Sequence, residues 1–301
     1  MKHSDLIYKP GSTKSLDGFS TNNTGTYKSK KSADKVLASG IEELSKLQDM
    51  LYASDGYSLL IIFQAMDAAG KDGTIKHVMS GVNPQGCQVC SFKAPSAEEL
   101  NHDFLWRCVK QLPEKGRIGI FNRSYYEEVL VTRVHPNLLD YQKLPGWPVS
   151  KEKMEEFWKQ RYSDINHFEQ HLNNNGTIIL KFFLHVSHQE QKQRLLDRID
   201  DPSKNWKFNI SDMDERGLWK EYMIAYEELL KHTSTDVSPW YVIPADKKWF
   251  MRAAISDIIV DKLKSLKLSY PKISKEQKSN LLKVKEMLII EKENLQRNQK
   301  L

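Results

Sequence analysis

Within the eleven residues Gln64-Ala-Met-Asp-Ala-Ala-Gly-Lys-Asp-Gly-Thr74, a carboxylate (Asp67), a backbone-flexible residue (Gly70) and a cation (Lys71) stand close together. The apolar run before them, Leu59 to Phe63, reads as a strand buried on both faces. The residues after them, from Asp72 to Met79, begin like a helix. A strand, a tight small-residue loop, Gly-Lys and a helix N-terminus form a cradle for phosphate, in which backbone N–H groups and the positive helix end face an anion. Ala68, Ala69, Gly70, Lys71, Asp72 and Gly73 line that cradle, and Lys76 follows one turn later. The match to G-x-x-x-x-G-K-[ST] is incomplete: Ala65 replaces the first glycine, and Asp72 stands where Ser or Thr would hold magnesium. A carboxylate inside a phosphate cradle repels the ligand unless a cation lies between, so Asp67 implies a divalent ion, Mg²⁺ first and Mn²⁺ second. The alternative is an ordinary strand-turn-helix, with Asp67 capping the helix and Lys71 in solvent.

A second group follows the apolar strand pattern of 116–121: Asn122, Arg123 and Ser124, then Glu127, Glu128 and Arg133. Phosphate-binding folds place a metal-organising carboxylate at such a strand end. Asn122 instead offers a neutral oxygen. Arg123 has the planar guanidinium suited to bridging phosphoryl oxygens, or it pairs locally with Glu127 one turn on. A third group, Arg194, Arg198, Lys204, Lys207 and Arg216, is interleaved with Asp197, Asp200, Asp201, Asp212 and Asp214. This stretch reads as a mobile lid closing over phosphates, or as a solvated loop of balanced charge.

The elements that must position these groups alternate regularly. An amphipathic helix from Ser32 to Tyr52 precedes the first strand. A short strand, Cys87 to Phe92, is followed by a capping box at Ser96 and Glu99 that opens a helix reaching Leu112. Further strands are expected at 116–121, 177–186 and 240–244. Helices are expected from Tyr125 to Thr132, Ser150 to Leu172, Ser187 onward, Ser211 to His232 and Lys247 to Leu266. This alternation predicts one α/β domain over about residues 34–270, with a five-stranded parallel sheet covered on both faces and a lid near 198–216. Residues 1–33 read as an extended polar arm, lying on the domain or partly disordered. Residues 271–301 read as an amphipathic helix that packs on a neighbour, in an oligomer or within the chain.

Composition narrows the function classes. Lys and Arg number 45 against 39 Asp and Glu, a net charge of +6, which suits a polyanionic ligand or plain solubility. No basic stripe interleaved with aromatics suggests a nucleic-acid binder. No apolar run reaches membrane-spanning length, and no apolar leader opens the chain, so a soluble cytoplasmic protein is expected. Cys87, Cys90 and Cys108 read as buried thiols in a reducing compartment. A pure anion binder has no use for a carboxylate inside its cradle, which favours an enzyme over a binding module.

Together the motifs resemble those of the polyphosphate kinase 2 family. Gln64 to Thr74 resembles its phosphate loop, Phe121-Asn-Arg-Ser-Tyr-Tyr-Glu127 its second motif, and Asp201-Pro-Ser-Lys-Asn-Trp-Lys207 with Trp219-Lys-Glu-Tyr222 its lid. His102-Asp-Phe-Leu-Trp-Arg107 and the block from Ser238 to Trp249 are also similar, so the likeness runs in order from about residue 33 to 266. The resemblance implies a P-loop, thymidylate-kinase-like three-layer α/β/α core. It implies Mg²⁺-dependent, reversible phosphoryl transfer between inorganic polyphosphate and ADP or AMP, with guanine nucleotides as further acceptors. It also implies that Asp67 holds metal, that Lys71 and Arg123 stabilise the transferring group, and that Arg198, Lys204 and Lys207 grip phosphates. Asn122, Glu127 and Arg133 complete the implied catalytic set. Asn122, Arg123, Ser124 and Glu128 are the implied nucleotide contacts. Where many members carry Asp, this chain carries Asn122, resembling the branch that accepts both AMP and ADP. The same core would also serve an ATP-dependent nucleoside monophosphate kinase.

Overall fold

The computed structural model describes residues 2–298, with Lys207 and residues 292–298 described by backbone alone. Six strands form one sheet: β1 (Ile7–Tyr8), β2 (Ser58–Gln64), β3 (Cys87–Ser91), β4 (Ile118–Asn122), β5 (Thr177–His185) and β6 (Trp240–Pro244). Their order across the sheet is β1-β6-β5-β2-β4-β3. All pairs are parallel except β1 with β6, which is antiparallel. The expected five parallel strands are therefore all present, and the sheet is extended by a sixth. That strand comes from the segment read as a polar arm. Its two residues are too few to show a period, yet Tyr8 is buried opposite Trp240, and Leu16 and Tyr27 are also buried.

Every residue of β2 and β5 is buried, as strands covered on both faces should be, whereas β3 is a half-exposed edge. β2 pairs with β5 on one side and β4 on the other, from Leu59↔Ile118 to Phe63↔Asn122. The chain reverses its progression here, so the carboxyl ends of β2 and β4 open a crevice between diverging connections.

Eleven α-helices, with six short 3-10 segments, complete the described chain: α1 (Lys30–Ser54), α2 (Lys71–Val78), α3 (Ala97–Leu100), α4 (Trp106–Val109), α5 (Val131–Val134), α6 (Lys151–Asn174), α7 (His188–Asp200), α8 (Ser211–Gly217), α9 (Trp219–Thr233), α10 (Lys248–Ser265) and α11 (Lys275–Asn298). Helices α1, α2 and α10 pack together, as do α5, α6 and α9. The single helix expected from Ser96 to Leu112 is two turns, α3 and α4. Asp103 Oδ1 accepts the Leu105 N–H at 2.9 Å, giving the backbone a local alternative to helix. Tyr125–Val129 is a 3-10 turn rather than the start of an α-helix, and the helix expected over 211–232 breaks at Leu218.

A fully buried polar knot ties β5 to the segment after β4. Lys181 Nζ donates to Glu169 Oε2 at 2.6 Å, to the Thr233 carbonyl at 2.7 Å and to Tyr126 OH at 3.0 Å. Glu169 Oε1 accepts from Tyr126 OH at 2.6 Å and Tyr125 OH at 2.9 Å. Every donor on Lys181 is satisfied, which is what permits an ammonium in the core. The chain divides into two compact units, one ending at Leu268 and the other starting at Ser269. The second carries α11, whose Leu281, Leu282, Val284, Leu288 and Ile289 are exposed.

Candidate active site

The loop leaving β2 turns through two left-handed residues, Ala68 (φ +60°) and Gly70 (φ +106°), before α2 begins at Lys71. A side chain at Gly70 would carry a left-handed backbone and place its Cβ 3.3 Å from Met251 Cε. The loop carbonyls are pulled backwards by α7. Gln191 Nε2 donates to the Asp67 carbonyl at 3.0 Å, and Arg194 Nη1 donates to Ala69 at 2.6 Å and Ala68 at 3.3 Å. In a trans peptide the N–H points opposite the C=O, so these bonds turn the N–H groups of Ala68 and Gly70 to the other side of the loop. The first N–H groups of α2 lack intrahelical acceptors, and with them the loop presents a concave set of donors.

Lys71 folds back over this loop, its Nζ donating to the Ala65 carbonyl at 2.8 Å. Burial, then the neighbouring Arg123 guanidinium, pulls its ammonium down to about 8, against the pull of Asp67, Glu127 and Asp72. Arg123 itself adopts a left-handed backbone (φ +66°), with its N–H bonded to the Phe63 carbonyl at 3.1 Å. A non-glycine residue held this way is strained, and such strain concentrates at functional sites. Its Nη2 meets Asp67 Oδ1 at 2.9 Å. The ion pair therefore spans two strand ends, and Arg123 does not make the local pair with Glu127. Burial opposes the charge on Arg123, but Glu127 and Asp67 outweigh it and hold the group firmly protonated. Burial also raises Glu127 above the usual carboxylate range, against Arg123 and Lys71.

Asn122 and Asp72 form the other bridge between β4 and the loop helix, Asn122 Nδ2 donating to Asp72 Oδ1 at 2.8 Å. Asn122 Oδ1 is buried and has no partner. An Asp at this position would set two carboxylates against each other, so the neutral amide suits the Asp72 that replaces Ser or Thr.

The 198–216 stretch comes near the loop through Asp212 and Arg216. Arg198 Nη1 approaches Asp212 Oδ2 at 3.6 Å. Asp212 is raised by burial and by the field of Asp67, which places this carboxylate within reach of the loop charge. Arg216 Nη1 donates to Gln191 Oε1 at 2.6 Å, and Gln191 in turn holds Asp67. Lys204 lies outside this network, paired with half-exposed Asp201. Lys207 sits in a 3-10 turn, Asn205–Lys207, and its side chain lies outside the described residues. Lys76 is exposed on α2.

Two expected site residues are engaged elsewhere, and a third, Glu128, lines a neighbouring cavity. Ser124 is fully buried, accepting from Gln64 Nε2 and the Tyr126 N–H, both at 3.2 Å, so it caps the turn and presents nothing to a ligand. Arg133 is taken up by Tyr162 OH at 3.0 Å, by Glu228 at 3.8 Å and by the Trp158 ring. Glu128 is buried against Gln142 Nε2 at 2.6 Å and Arg161 at 3.5 Å. It lines a separate cavity of about 340 Å³, together with Pro95, Leu100, Phe104, Arg107 and Leu144. That cavity lies just beyond β3, where Arg107 Nη1 donates to the Lys93 carbonyl at 2.8 Å.

Gln191, Asp212 and the anchoring role of Arg194 are what the sequence reading misses. Arg194 does carry a signal: it lies with Gln191 and Leu195 on the buried face of α7, where a charge needs a specific partner. Among the described residues, no three His, Cys, Asp or Glu side chains converge as a metal-binding group. Cys87, Cys90 and Cys108 are free thiols. Burial pushes Cys87 up to about 11 and Cys108 higher, so both are inert.

The sequence model of the polyphosphate kinase 2 (PPK2) family matches residues 27–271. An ADP-polyphosphate phosphotransferase of Rhodopseudomonas palustris is 53% identical over 263 residues, 87% of this chain and 90% of that protein. An AMP/ADP-polyphosphate phosphotransferase of Meiothermus ruber is 46% identical over 257 residues, 85% of this chain and 91% of that one. The crystal structure of Polyphosphate Kinase 2 from Arthrobacter aurescens TC1 superposes with a TM-score of 0.82 at 40% identity, covering 93% of this chain and 98% of its own. The span of the family match and the likeness to these relatives show that this chain belongs to the polyphosphate kinase 2 family.

Proposed function

We propose that the chain transfers the terminal phosphoryl group of inorganic polyphosphate to ADP and AMP, reversibly and with Mg²⁺. The observation that carries this reading is the Asp67–Arg123 pair at 2.9 Å, closing a phosphate cradle that also holds Lys71. The reaction asks for that equipment. An oxygen of the nucleotide's terminal phosphate attacks the terminal phosphorus of the donor, one P–O bond forms, and the bridging P–O bond breaks. The attacking oxygen is already an anion, so no base has to remove a proton. The remaining task is to align two polyanions and neutralise their charge.

In this reading Lys71 and the cradle N–H groups hold the transferring phosphoryl group. Arg123, released from Asp67, bridges donor and acceptor oxygens. The residues fit a divalent ion that takes most of its ligands from phosphates and water, as Mg²⁺ does, with Asp67 as the protein's carboxylate. The ion supplies charge neutralisation between that carboxylate and the phosphates. Arg198, beside Asp212, is the first lid cation that grips phosphates, and Lys204 and Lys207 extend the grip toward the donor polymer. Asn122 orients the acceptor phosphate. The 340 Å³ cavity beyond β3, apolar with a few polar groups, takes the adenine or guanine base. Copies of the chain assemble through the exposed apolar residues of α11, which light scattering of an L281E/L288E variant tests. Free, inert thiols support a cytoplasmic site of action.

The test is ATP formation from ADP, Mg²⁺ and purified polyphosphate, with EDTA and K71A controls. Metal-dependent ATP that disappears in K71A is expected. If the folded protein instead makes ADP from ATP and AMP, and nothing from polyphosphate, the donor assignment fails.

A further inference from the structure

The segment before residue 27 lies outside the family match, yet it reaches the phosphate loop through a short series of direct contacts. Thr21 Oγ1 donates to Asp246 Oδ2 at 2.7 Å, and the Asp246 N–H donates back to the Thr21 carbonyl at 3.0 Å. Asp246 Oδ1 accepts the Ser187 N–H at 2.8 Å, which fixes the start of α7. Arg194, only 4% exposed, spans the two ends. Its Nη2 donates to the carbonyls of Ala245 at 2.6 Å and Asp246 at 3.3 Å, and its Nη1 donates to Ala69 at 2.6 Å. Its Nε is bound to Glu190 Oε1 at 2.8 Å, so the guanidinium has no freedom to seek other partners.

We infer that Thr21 is a positioning residue for the phosphate cradle: through Asp246 and Arg194, the N-terminal strap sets the orientation of the loop carbonyls at 68 and 69. The argument is geometric. Ala68 is held at φ +60°, a conformation an alanine leaves unless its surroundings over-determine it. Arg194 supplies two of those restraints, and its own height above the loop is set by the backbone at 245 and 246. That backbone lies past the end of β6, where ladder pairing has stopped. Its remaining restraints are the Ala245 N–H to His185 carbonyl bond, the Ser187 N–H to Asp246 Oδ1 bond and the two-way bond with Thr21. Loosening Thr21 removes the restraint that the N-terminal strap supplies to Asp246, lets Arg194 shift, and permits the peptide after Ala69 to turn its N–H away from the anion.

The strap is independently anchored at its other end by the pairing of β1 with β6, and there Tyr8 OH braces the strap internally, donating to the Lys14 carbonyl at 3.0 Å and the Ser12 carbonyl at 3.2 Å. This separates positioning from mere adhesion. T21V removes the hydroxyl at nearly constant shape, T21S keeps it, and Y8F weakens the strap elsewhere.

The inference rests on the proposed phosphoryl transfer, so the test has two readouts on the full chain. Hydrogen exchange at the amides of 66–72 needs no turnover. It is expected to accelerate about tenfold in T21V, a shift of roughly 1.4 kcal/mol in opening, and to stay at the wild-type rate in T21S and Y8F. Turnover with polyphosphate and ADP is expected to fall several-fold in T21V through kcat and the polyphosphate KM, with the ADP KM unchanged, and to recover in T21S. Unchanged loop exchange in folded T21V overturns the inference, and so does equal acceleration in Y8F. If T21V does not fold, T21A carries the same two readouts. A wild-type chain that makes no ATP from polyphosphate refutes the function, while the exchange result still decides the strap.

Discussion

Lys71 is the side chain whose charge this site most needs and holds least securely. Burial and Arg123 bring its ammonium from 10.5 to about 8, so it is protonated below that pH and neutral above it. Since kcat/KM reports the free enzyme, the polyphosphate kcat/KM is expected to fall as pH rises through about 8. A guanidinium does not titrate there, so K71R should remove this alkaline limb even while lowering the absolute rate. A pH series on both proteins checks this, and a limb that persists in K71R would assign it to another group. Arg123 calls for a different prediction, because removing it would take away the proposed phosphate contact and leave Asp67 uncompensated. R123A should lower kcat on the order of 10²–10³-fold without unfolding the protein, the scale of losing one transition-state contact. Steady-state kinetics alongside circular dichroism would show it, and near-normal turnover would refute the role.

At the scale of elements, the knot of Lys181, Glu169, Tyr125 and Tyr126 fixes the segment that begins with Arg123. Breaking one side should be costly: K181M leaves Glu169 buried without its cation and is expected to destabilise by about 3–5 kcal/mol. The double variant K181M/E169Q should recover part of that loss, and urea unfolding of both singles and the double measures the coupling. Additive losses would mean the pair is not a unit. None of this knot was legible in the sequence, because Lys181 occupies one position in an otherwise apolar strand and its partners lie on three other segments. The five parallel strands were legible because apolar runs report burial directly. β1 was not, since two residues carry no period. The Arg123–Asp67 pair was hidden for a similar reason. Local reading offered Glu127, four residues away, whereas the actual partner is 56 residues back and becomes a neighbour only when β2 and β4 pair. Ser124 and Arg133 matched the motif by position, but the folded turn and the Tyr162–Glu228 contacts claim them.

For the whole molecule, the question is how a chain with a net charge of only +6 handles a donor that carries a charge on every phosphate. Charge is not spread evenly where it matters. Burial, then Arg194 and Arg252, depresses Lys248 at the start of α10 against the pull of Glu190 and Asp197, and Arg252 Nη2 lies 3.5 Å from where a Cβ on Gly73 would stand. Cations crowded like this repel one another and gain from an anion laid among them. Binding a polyanion there displaces its counterions, and that displacement weakens with added salt. The KM for long-chain polyphosphate should therefore climb steeply between about 50 and 200 mM salt. The KM for ADP, a short ligand with far fewer charges than the polymer, should change much less. R252Q should flatten the polyphosphate slope and leave the ADP response where it was. Parallel salt dependences for the two substrates would show that the donor is held only by the cradle itself, with no further cationic contact along the chain.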